Sequence, residues 1–158
     1  MEMIGRSMRE TILKRALEAI KNSYDFILID CPPQLSILTI NALACCDCVV
    51  IPVKTDYLAY RGVELLMESI NDIKWLINPS LTVLGVVATM FEVRVKDDNE
   101  ILQALNEKYN VIGVVKKMAI AKKGVYDGRS VSDQAPKNDV ATEYDKVSDY
   151  IIAKGDNI

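Results

Sequence analysis

Short runs of consecutive apolar residues alternate along the chain with longer stretches that are apolar on one helical face only. Such unbroken runs are typical of strands that are buried on both faces of a parallel sheet. The predicted strands are Phe26–Asp30, Cys48–Val53, Leu81–Thr89 and Val111–Val115. The first of them ends on an acid, and two prolines in the following Cys31-Pro32-Pro33 end any ladder of hydrogen bonds.

Apolar residues spaced three and four apart predict helices before, between and after these strands. A capping box formed by Ser7 and Glu10 marks the start of the first helix. The later helices are predicted over residues 36–45, 60–77, 98–109 and 139–153. This alternation predicts an α/β fold, a parallel sheet with helices on both faces, in one domain that covers residues 1–158.

The carboxyl ends of parallel strands meet at one edge of such a sheet, and ligands bind there. That geometry places Asp30, the loop after Val53 and the Thr89-Met90 pair along a common rim. A carboxylate at the rigid end of a buried strand can hold a magnesium ion, usually through water, beside nucleotide phosphates. From the spacing alone, Asp30 is either such a ligand or an aspartate that caps the following loop or helix.

Charge is unevenly distributed along a chain of 158 residues whose net charge is −3. Residues 116–129 carry five basic side chains and one acid, a local charge of +4. Lys122 and Lys123 in this basic loop are therefore candidates for contacts with the phosphate backbone of DNA. The alternative is a solvated loop without a partner.

The rest of the composition limits the catalytic chemistry that the chain can perform and the cellular compartment in which we expect it. The chain has no histidine, which excludes Ser-His and Cys-His nucleophilic catalysis. Its four cysteines lack the two separated pairs of a typical zinc site and are interpreted as small buried thiols. Reduced thiols, the lack of any apolar run near the roughly 20 residues of a membrane span, and the lack of an apolar signal core predict a cytoplasmic protein.

Several blocks of sequence resemble the ParA/Soj family of partitioning ATPases. The longest is Tyr24–Pro33 with Leu38–Ala44 after it. Asp47–Pro52 also matches the sequence that the family has at this place. Shorter matches are Asn78-Pro79, Thr89-Met90, Gly128–Val131 before Pro136, and Tyr144 in the last predicted helix. The resemblance extends from about Arg9 to Ile152, which is nearly the whole chain.

The resemblance implies a deviant-Walker P-loop ATPase that holds ATP and Mg²⁺ in a homodimer. It also implies non-specific DNA binding, a ParB-type partner protein that stimulates hydrolysis, and no membrane contact. Asp30 would be the Walker B magnesium ligand, and Cys31, Pro32 and Pro33 would begin the loop that senses the γ-phosphate. Thr89 and Met90 would line the adenine pocket, and Arg94 would lie near the DNA-binding surface with Lys122 and Lys123.

Two departures from the family pattern bear on activity. A P-loop needs a glycine-rich turn that ends in Gly-Lys, and this chain has no Gly-Lys pair. In the family this loop, its signature lysine and the acidic switch residue lie in roughly the first hundred residues, upstream of the part that this chain resembles. Ala121 also replaces the proline of the family's usual Ile-Pro-Arg turn beside the adenine. We therefore expect that this chain alone neither binds ATP tightly nor hydrolyses it.

Three hypotheses on function remain open at this level. The chain could be part of an ATPase for plasmid or chromosome partition, completed by an upstream segment. It could instead be a P-loop-less binding module that pairs with a full-length ParA or with DNA. A relative such as a division-site ATPase or a metal-cluster carrier is disfavoured, because the tail after Ala153 forms no amphipathic membrane helix and Cys45-Cys46 is a poor cluster ligand pair.

Overall fold

The computed structural model of the protein describes residues 9–32, 34–119 and 128–155. Its strands are β1 (Cys48–Lys54), β2 (Thr82–Phe91) and β3 (Val111–Lys116). Its helices are α1 (Ile12–Glu18), α2 (Ile37–Cys45), α3 (Tyr57–Leu76), α4 (Lys96–Lys108), α5 (Val131–Gln134) and α6 (Asp139–Gly155), with a 3₁₀ turn at Lys21–Ser23. The α/β alternation predicted from the sequence is confirmed for α2, β1, α3, β2, α4, β3 and α6, whereas the short helix α5 was not predicted.

The three strands form one parallel sheet in the order β1-β2-β3. Along the β2–β3 pair, Val87 lies opposite Gly113 and Ala88 lies opposite Val114. Contacts group the chain into two compact units, Met1–Val49 with Leu65–Thr82 and Val50–Glu64 with Val83–Ile158. The prediction of a single domain stays a prediction.

The core of the second unit forms where α6 packs against β3. Its buried cluster consists of Val87, Val115, Val140 and Val147. A side chain at Gly113 would collide with the Cγ2 methyl of Val147, so a glycine is needed where the helix lies so close to the strand. The Glu143 carboxylate on the same helix accepts a hydrogen bond from the Val114 backbone N–H at 3.0 Å.

Two buried amides hold the first unit together. Asn41 donates from Nδ2 to the carbonyls of Arg9 at 2.7 Å and Ile37 at 2.9 Å, and its Oδ1 accepts from the Leu13 N–H at 3.2 Å. Asn78 donates to the carbonyls of Leu43 at 2.9 Å and Cys46 at 2.8 Å, which lie at the end of α2. The asparagines of the two family-like blocks therefore act as buried hydrogen-bonding clamps.

The strand predicted at Phe26–Asp30 does not form. Residues 24–32 have no regular secondary structure, and none of their backbone groups pairs with another backbone group among the residues described. Leu28 is 85% exposed and Phe26 is 42% exposed. The prediction of a buried strand was wrong because a strand is stable only beside a neighbour, and the described sheet contains β1, β2 and β3 alone.

The prediction that β1 is buried on both faces was also wrong. From Ile51 to Lys54 its residues alternate between buried and exposed, and Pro52 is on the exposed side. β1 lies at an edge of the sheet, where a proline that cannot donate a hydrogen bond is tolerated.

Candidate functional site

The predicted magnesium ligand lies in the extended segment of the first unit. Asp30 is exposed, and its carboxylate makes no hydrogen bond or ion pair with any described residue. Cys31 and Pro32 beside it are exposed as well. Partial burial, and next the charge of Asp30, raise the pKa of the Cys31 thiol. Pro33 lies outside the described residues.

Thr89 and Met90 lie near the carboxyl end of β2 in the second unit. The hydroxyl of Thr89 donates to the Val53 carbonyl at 3.2 Å, and the Thr55 N–H donates to the Thr89 carbonyl at 3.2 Å. Met90 has a φ of 57°, in the left-handed region that non-glycine residues rarely adopt, and is 48% exposed. Hydrogen bonds therefore join the end of β2 to the end of β1 directly before Met90, whose backbone conformation is strained.

A carboxylate that the sequence analysis did not single out joins the same strand ends. Asp98, in the first turn of α4, accepts two hydrogen bonds on its Oδ2 atom. One comes from the hydroxyl of Thr55 at 2.8 Å and the other from the Glu92 N–H at 2.8 Å. Thr55 is only 2% exposed, so its hydroxyl needs this acceptor.

An open groove with a volume of about 310 Å³ lies beyond the ends of β2 and β3. Its lining includes Phe91–Arg94, Lys116–Met118 and Asp139. Lys117 pairs with Glu92 at 2.6 Å, and Lys116 pairs with Asp139 at 2.7 Å. Arg94 is exposed and has no hydrogen bond or ion pair within the described ranges.

These ion pairs change the pKa values of two groups that line the groove. A hydrogen bond to Glu92 raises the pKa of Lys117, and a hydrogen bond from Lys116 lowers the pKa of Asp139. Each of the two lysines therefore has an acidic partner that offsets its charge. Arg94 is the positive charge on the groove wall that no described acid neutralises.

A second carboxylate, that of Asp56, lies between the end of β1 and the start of α3. Asp56 Oδ1 accepts from the Ala59 N–H at 2.8 Å, and this bond, followed by the one from Lys54, lowers the pKa of Asp56. The bond satisfies a backbone donor that the start of a helix leaves unpaired. The helix consequently starts at Tyr57, three residues before the start predicted from hydrophobic spacing.

The cysteines are free thiols. Burial, followed by the neighbouring thiols Cys45 and Cys48, raises the pKa of Cys46 to about 12. The pKa values of Cys45 and Cys48 are raised as well, primarily by burial. Because the thiolate is the nucleophile and the metal ligand, a raised pKa makes Cys45, Cys46 and Cys48 less reactive than a fully exposed thiol.

The exposed carboxylate of Asp30 is chemically suited to hold Mg²⁺. No group of three or more possible metal ligands gathers among the residues described. No Gly-Lys turn is present in the sequence to surround phosphate with backbone N–H groups. The structure places Thr89, Met90 and Arg94 together beside the groove and Asp30, Cys31 and Pro32 together in the other unit, whereas Lys122 and Lys123 lie outside the described residues.

The roles of Thr55, Glu92 and Asp98 were missed because they depend on which strand ends become neighbours. Asp97-Asp98 at the start of a predicted helix is a sequence signal, but it indicates only acids that favour a helix N-terminus. Which of the two acids turns toward the sheet is not encoded in the spacing.

No helix in the described part of the chain is long and apolar enough to cross a membrane.

Comparison with known proteins gives consistent results. The family model described as "AAA domain" matches residues 1–83. The sporulation initiation inhibitor protein Soj of Bacillus subtilis is 40% identical over 108 residues, which are 68% of this chain and 43% of Soj. The chain thus matches less than half the length of that relative.

Solved structures agree on the fold. A structure of cobyrinic acid a,c-diamide synthase from Mycobacterium smegmatis with a bound ATP analogue and magnesium is 30% identical, with a TM-score of 0.70. The match covers 89% of this chain and 53% of that one. An ATP complex of a McdA variant from Cyanothece has a TM-score of 0.83 at 18% identity, with 95% of this chain and 60% of the other covered. With the fold, the sequence blocks and the family model in agreement, the chain belongs to the AAA-domain family and, within it, to the ParA/Soj partitioning ATPases.

Proposed function

We propose that this chain supplies the magnesium ligand and the base-binding rim of a ParA-type ATPase that drives plasmid or chromosome partition. The observation that carries the proposal is Asp30, a carboxylate exposed at the end of a family-like block and left without a partner by the described residues. An aspartate that only capped a loop would accept a hydrogen bond from a nearby N–H, and Asp30 accepts none among those described.

The groove beyond β2 and β3 is our candidate for the nucleotide base. Its wall combines the apolar side chains of Phe91, Val93 and Met118 with a few charged groups, as small-molecule sites commonly do. The lysines on this wall are already paired with acids, so the groove is less suited to phosphate. Thr89 and Met90 stand next to it, and Cys31, Pro32 and Pro33 form the proposed phosphate-sensing loop beside Asp30.

The chain alone is proposed to be inactive toward ATP. Phosphoryl-transfer catalysis depends on positioning and on charge stabilisation by backbone donors, a lysine and Mg²⁺. One aspartate that holds a hydrated ion does not replace a glycine-rich cradle. The missing donors are assigned to a segment that other members of the family carry upstream of the block that ends in Asp30.

The wider activity follows from the family and is proposed for the completed protein. It would form an ATP-dependent homodimer, bind DNA non-specifically in the cytoplasm, and respond to a ParB-type partner. Arg94, free of any acid in the described residues, and the basic loop with Lys122 and Lys123 are the proposed DNA contacts. The salt dependence of DNA binding should fall when these charges are removed.

A fusion tests the proposal. Residues 1–158 are joined behind the glycine-rich amino-terminal part of the Bacillus subtilis Soj relative, to give what we call the Soj-completed protein. We expect Mg²⁺-dependent ATP hydrolysis that falls about 100-fold in Asp30→Ala, the size of effect for loss of one charge-stabilising group. Asp25→Ala removes an exposed aspartate five residues away and should leave the rate unchanged.

A folded Soj-completed protein without ATPase activity would contradict the proposal, as would equal losses in Asp30→Ala and Asp25→Ala. Folding is checked by circular dichroism and by a single cooperative urea transition before any rate is compared. Binding of Mg-ATP to the chain alone is a separate measurement that does not depend on the fusion.

A second candidate function is a P-loop-less module that binds a full-length ParA. The apolar surface of the first unit favours it, because Leu28 is 85% exposed and Leu38 is 66% exposed. Surfaces of this kind commonly bind another protein. A complex between residues 1–158 and an intact Soj-type protein in size-exclusion chromatography would support this function, and separate elution would exclude it.

A further inference from the structure

Met90 stands out because it adopts a strained backbone conformation at the edge of the groove. Its φ of 57° lies in the left-handed region, where the Cβ atom of a residue with a side chain comes too close to the following carbonyl oxygen. Such conformations persist only where the surrounding structure holds them, and they concentrate at functional sites. Met90 lies at the register shift between Ala88 and Phe91, where the pairing of β2 with β3 is irregular, and the Phe91 carbonyl accepts from the Lys117 N–H at 3.0 Å.

The residues on both sides of Met90 are held by polar bonds to other elements. Before it, the Thr89 hydroxyl bonds the Val53 carbonyl and the Thr89 carbonyl accepts from Thr55, which fixes β2 against β1. After it, the N–H of Glu92 donates to Asp98 Oδ2 at 2.8 Å. Met90 thus lies in a short stretch that is fixed at each end.

Asp98 is the group that links the two fixed ends. Its single Oδ2 atom accepts from Thr55, which follows β1, and from Glu92, which follows β2. Thr55 is also the residue whose N–H binds Thr89. A closed set of hydrogen bonds thus runs from Thr89 through Thr55 and Asp98 to Glu92, and it encloses Met90.

We propose that Asp98 is a positioning residue that holds the end of β2 at Met90, together with the Glu92–Val95 turn that follows it, and thereby sets the form of the groove wall. The strand end and this turn supply Phe91–Arg94 to the groove lining, and the Glu92 carboxylate is also paired with Lys117, which follows β3. If Asp98 releases Glu92, Met90 relaxes to an ordinary backbone conformation and the wall formed by Phe91–Arg94 shifts. The inference that this wall receives a nucleotide base rests on the proposed function, whereas the linkage between Asp98 and Met90 does not.

The linkage is tested in the chain itself by a double-mutant cycle. Comparing Gly with Ala at position 90 measures the backbone strain there, because glycine adopts a positive φ without the penalty. With Asp98 present, we expect Met90→Gly to have a folding equilibrium constant roughly 5-fold higher than Met90→Ala. In the Asp98→Ala background the same ratio should fall below about 2-fold, because the backbone at position 90 is already relaxed.

Two further variants, each combined with Gly and with Ala at position 90, distinguish the effect of the Asp98 hydrogen bonds from that of its negative charge. Both donors bind one oxygen of Asp98, so the carbonyl oxygen of Asp98→Asn can accept both and should preserve the ratio of about 5-fold. Asp97→Ala removes the exposed acid next to it and should also preserve the ratio. Equal Gly-to-Ala ratios with Asp98 and with Asp98→Ala would overturn the proposal, as would loss of the ratio in Asp98→Asn.

The consequence for the groove is measured in the Soj-completed protein. Asp98→Ala should raise KM for ATP about 10-fold and leave kcat within about 2-fold, because it deforms a binding wall and not the phosphate centre. Asp98→Asn should restore the original KM. A general loss of folding would lower the active fraction and the apparent kcat instead. If the Soj-completed protein does not hydrolyse ATP at all, the proposed function fails while the cycle at position 90 still decides the linkage.

A fall in kcat with KM unchanged would contradict a positioning role for Asp98. A change in KM that Asp98→Asn does not restore would show that the negative charge acts directly, and it would overturn the proposed mechanism. Amide hydrogen exchange at Glu92 gives an independent readout. It should quicken in Asp98→Ala and stay protected in Asp98→Asn, and unchanged protection in Asp98→Ala would refute the linkage.

Discussion

The segment at residues 24–32 and strand β2 have similar sequences and different structures. Both are mainly apolar runs that lead to residues for which we propose a function, Asp30 in one case and Thr89-Met90 in the other. β2 lies between two strands, and its Val86, Val87 and Ala88 are at most 4% exposed. The earlier segment has no partner in the described chain, and its Leu28 is 85% exposed. The difference teaches that an apolar run becomes a strand only when other parts of the chain supply the neighbours.

The largest expected effect compares a buried leucine with an exposed one. Leu105 in α4 is fully buried, and Leu105→Ala should lower the free energy of unfolding by about 2–5 kcal/mol. Leu28→Ala should change it by less than about 0.5 kcal/mol, because the side chain is already in water. Urea denaturation followed by circular dichroism measures both. A cost for Leu28→Ala that approaches that of Leu105→Ala would mean that the extended segment is packed in solution, and the comparison would fail.

The buried amide clamp of the first unit should have an intermediate effect. Asn78→Ala leaves the carbonyls of Leu43 and Cys46 without their donor and should destabilise the chain by about 1–3 kcal/mol. Asn106→Ala is the matched control, because the one hydrogen bond that this exposed side chain makes with the described residues is to the Leu102 carbonyl of its own helix. Equal shifts of the two urea midpoints would show that the clamp contributes nothing beyond a surface bond.

The smallest predicted effect is a pH dependence in the second unit. Burial opposes the charge of Glu143, but the hydrogen bond from the Val114 N–H and the neighbouring Lys146 outweigh it and lower the pKa. A carboxyl whose pKa is lower in the folded than in the unfolded state adds stability above its usual pKa of about 4.5, and this stability is lost as the pH falls through the folded value. Glu143→Gln should therefore flatten the decline of the urea midpoint below about pH 5. An unchanged slope would contradict the assignment, and Asp149→Asn on the exposed side of α6 serves as the control.

Much of the fold could be predicted from hydrophobic spacing, and the failures share one cause. The helices α2, α3, α4 and α6 and the three strands β1, β2 and β3 form where the pattern places them, because their neighbours lie within the chain. Phe26–Asp30 fails because a strand also needs a partner, which local sequence does not specify. For the same reason, the sequence did not indicate the role of Asp98, because that role depends on Thr55 and Glu92 becoming its neighbours in space. Asp30 stays a predicted magnesium ligand, based on its place at the end of an apolar run and on a long block that resembles a known family.

We propose that the chain holds only part of a magnesium–nucleotide site, because Asp30 is exposed and the sequence has no Gly-Lys turn to surround phosphate. Titration calorimetry of Mg-ATP into residues 1–158 is the most direct test. We expect no saturable heat, with any Kd weaker than about 1 mM, a binding free energy of no more than about 4 kcal/mol. Saturable binding with a micromolar Kd that disappears in Asp30→Ala would contradict the account, because these residues would then form a complete site.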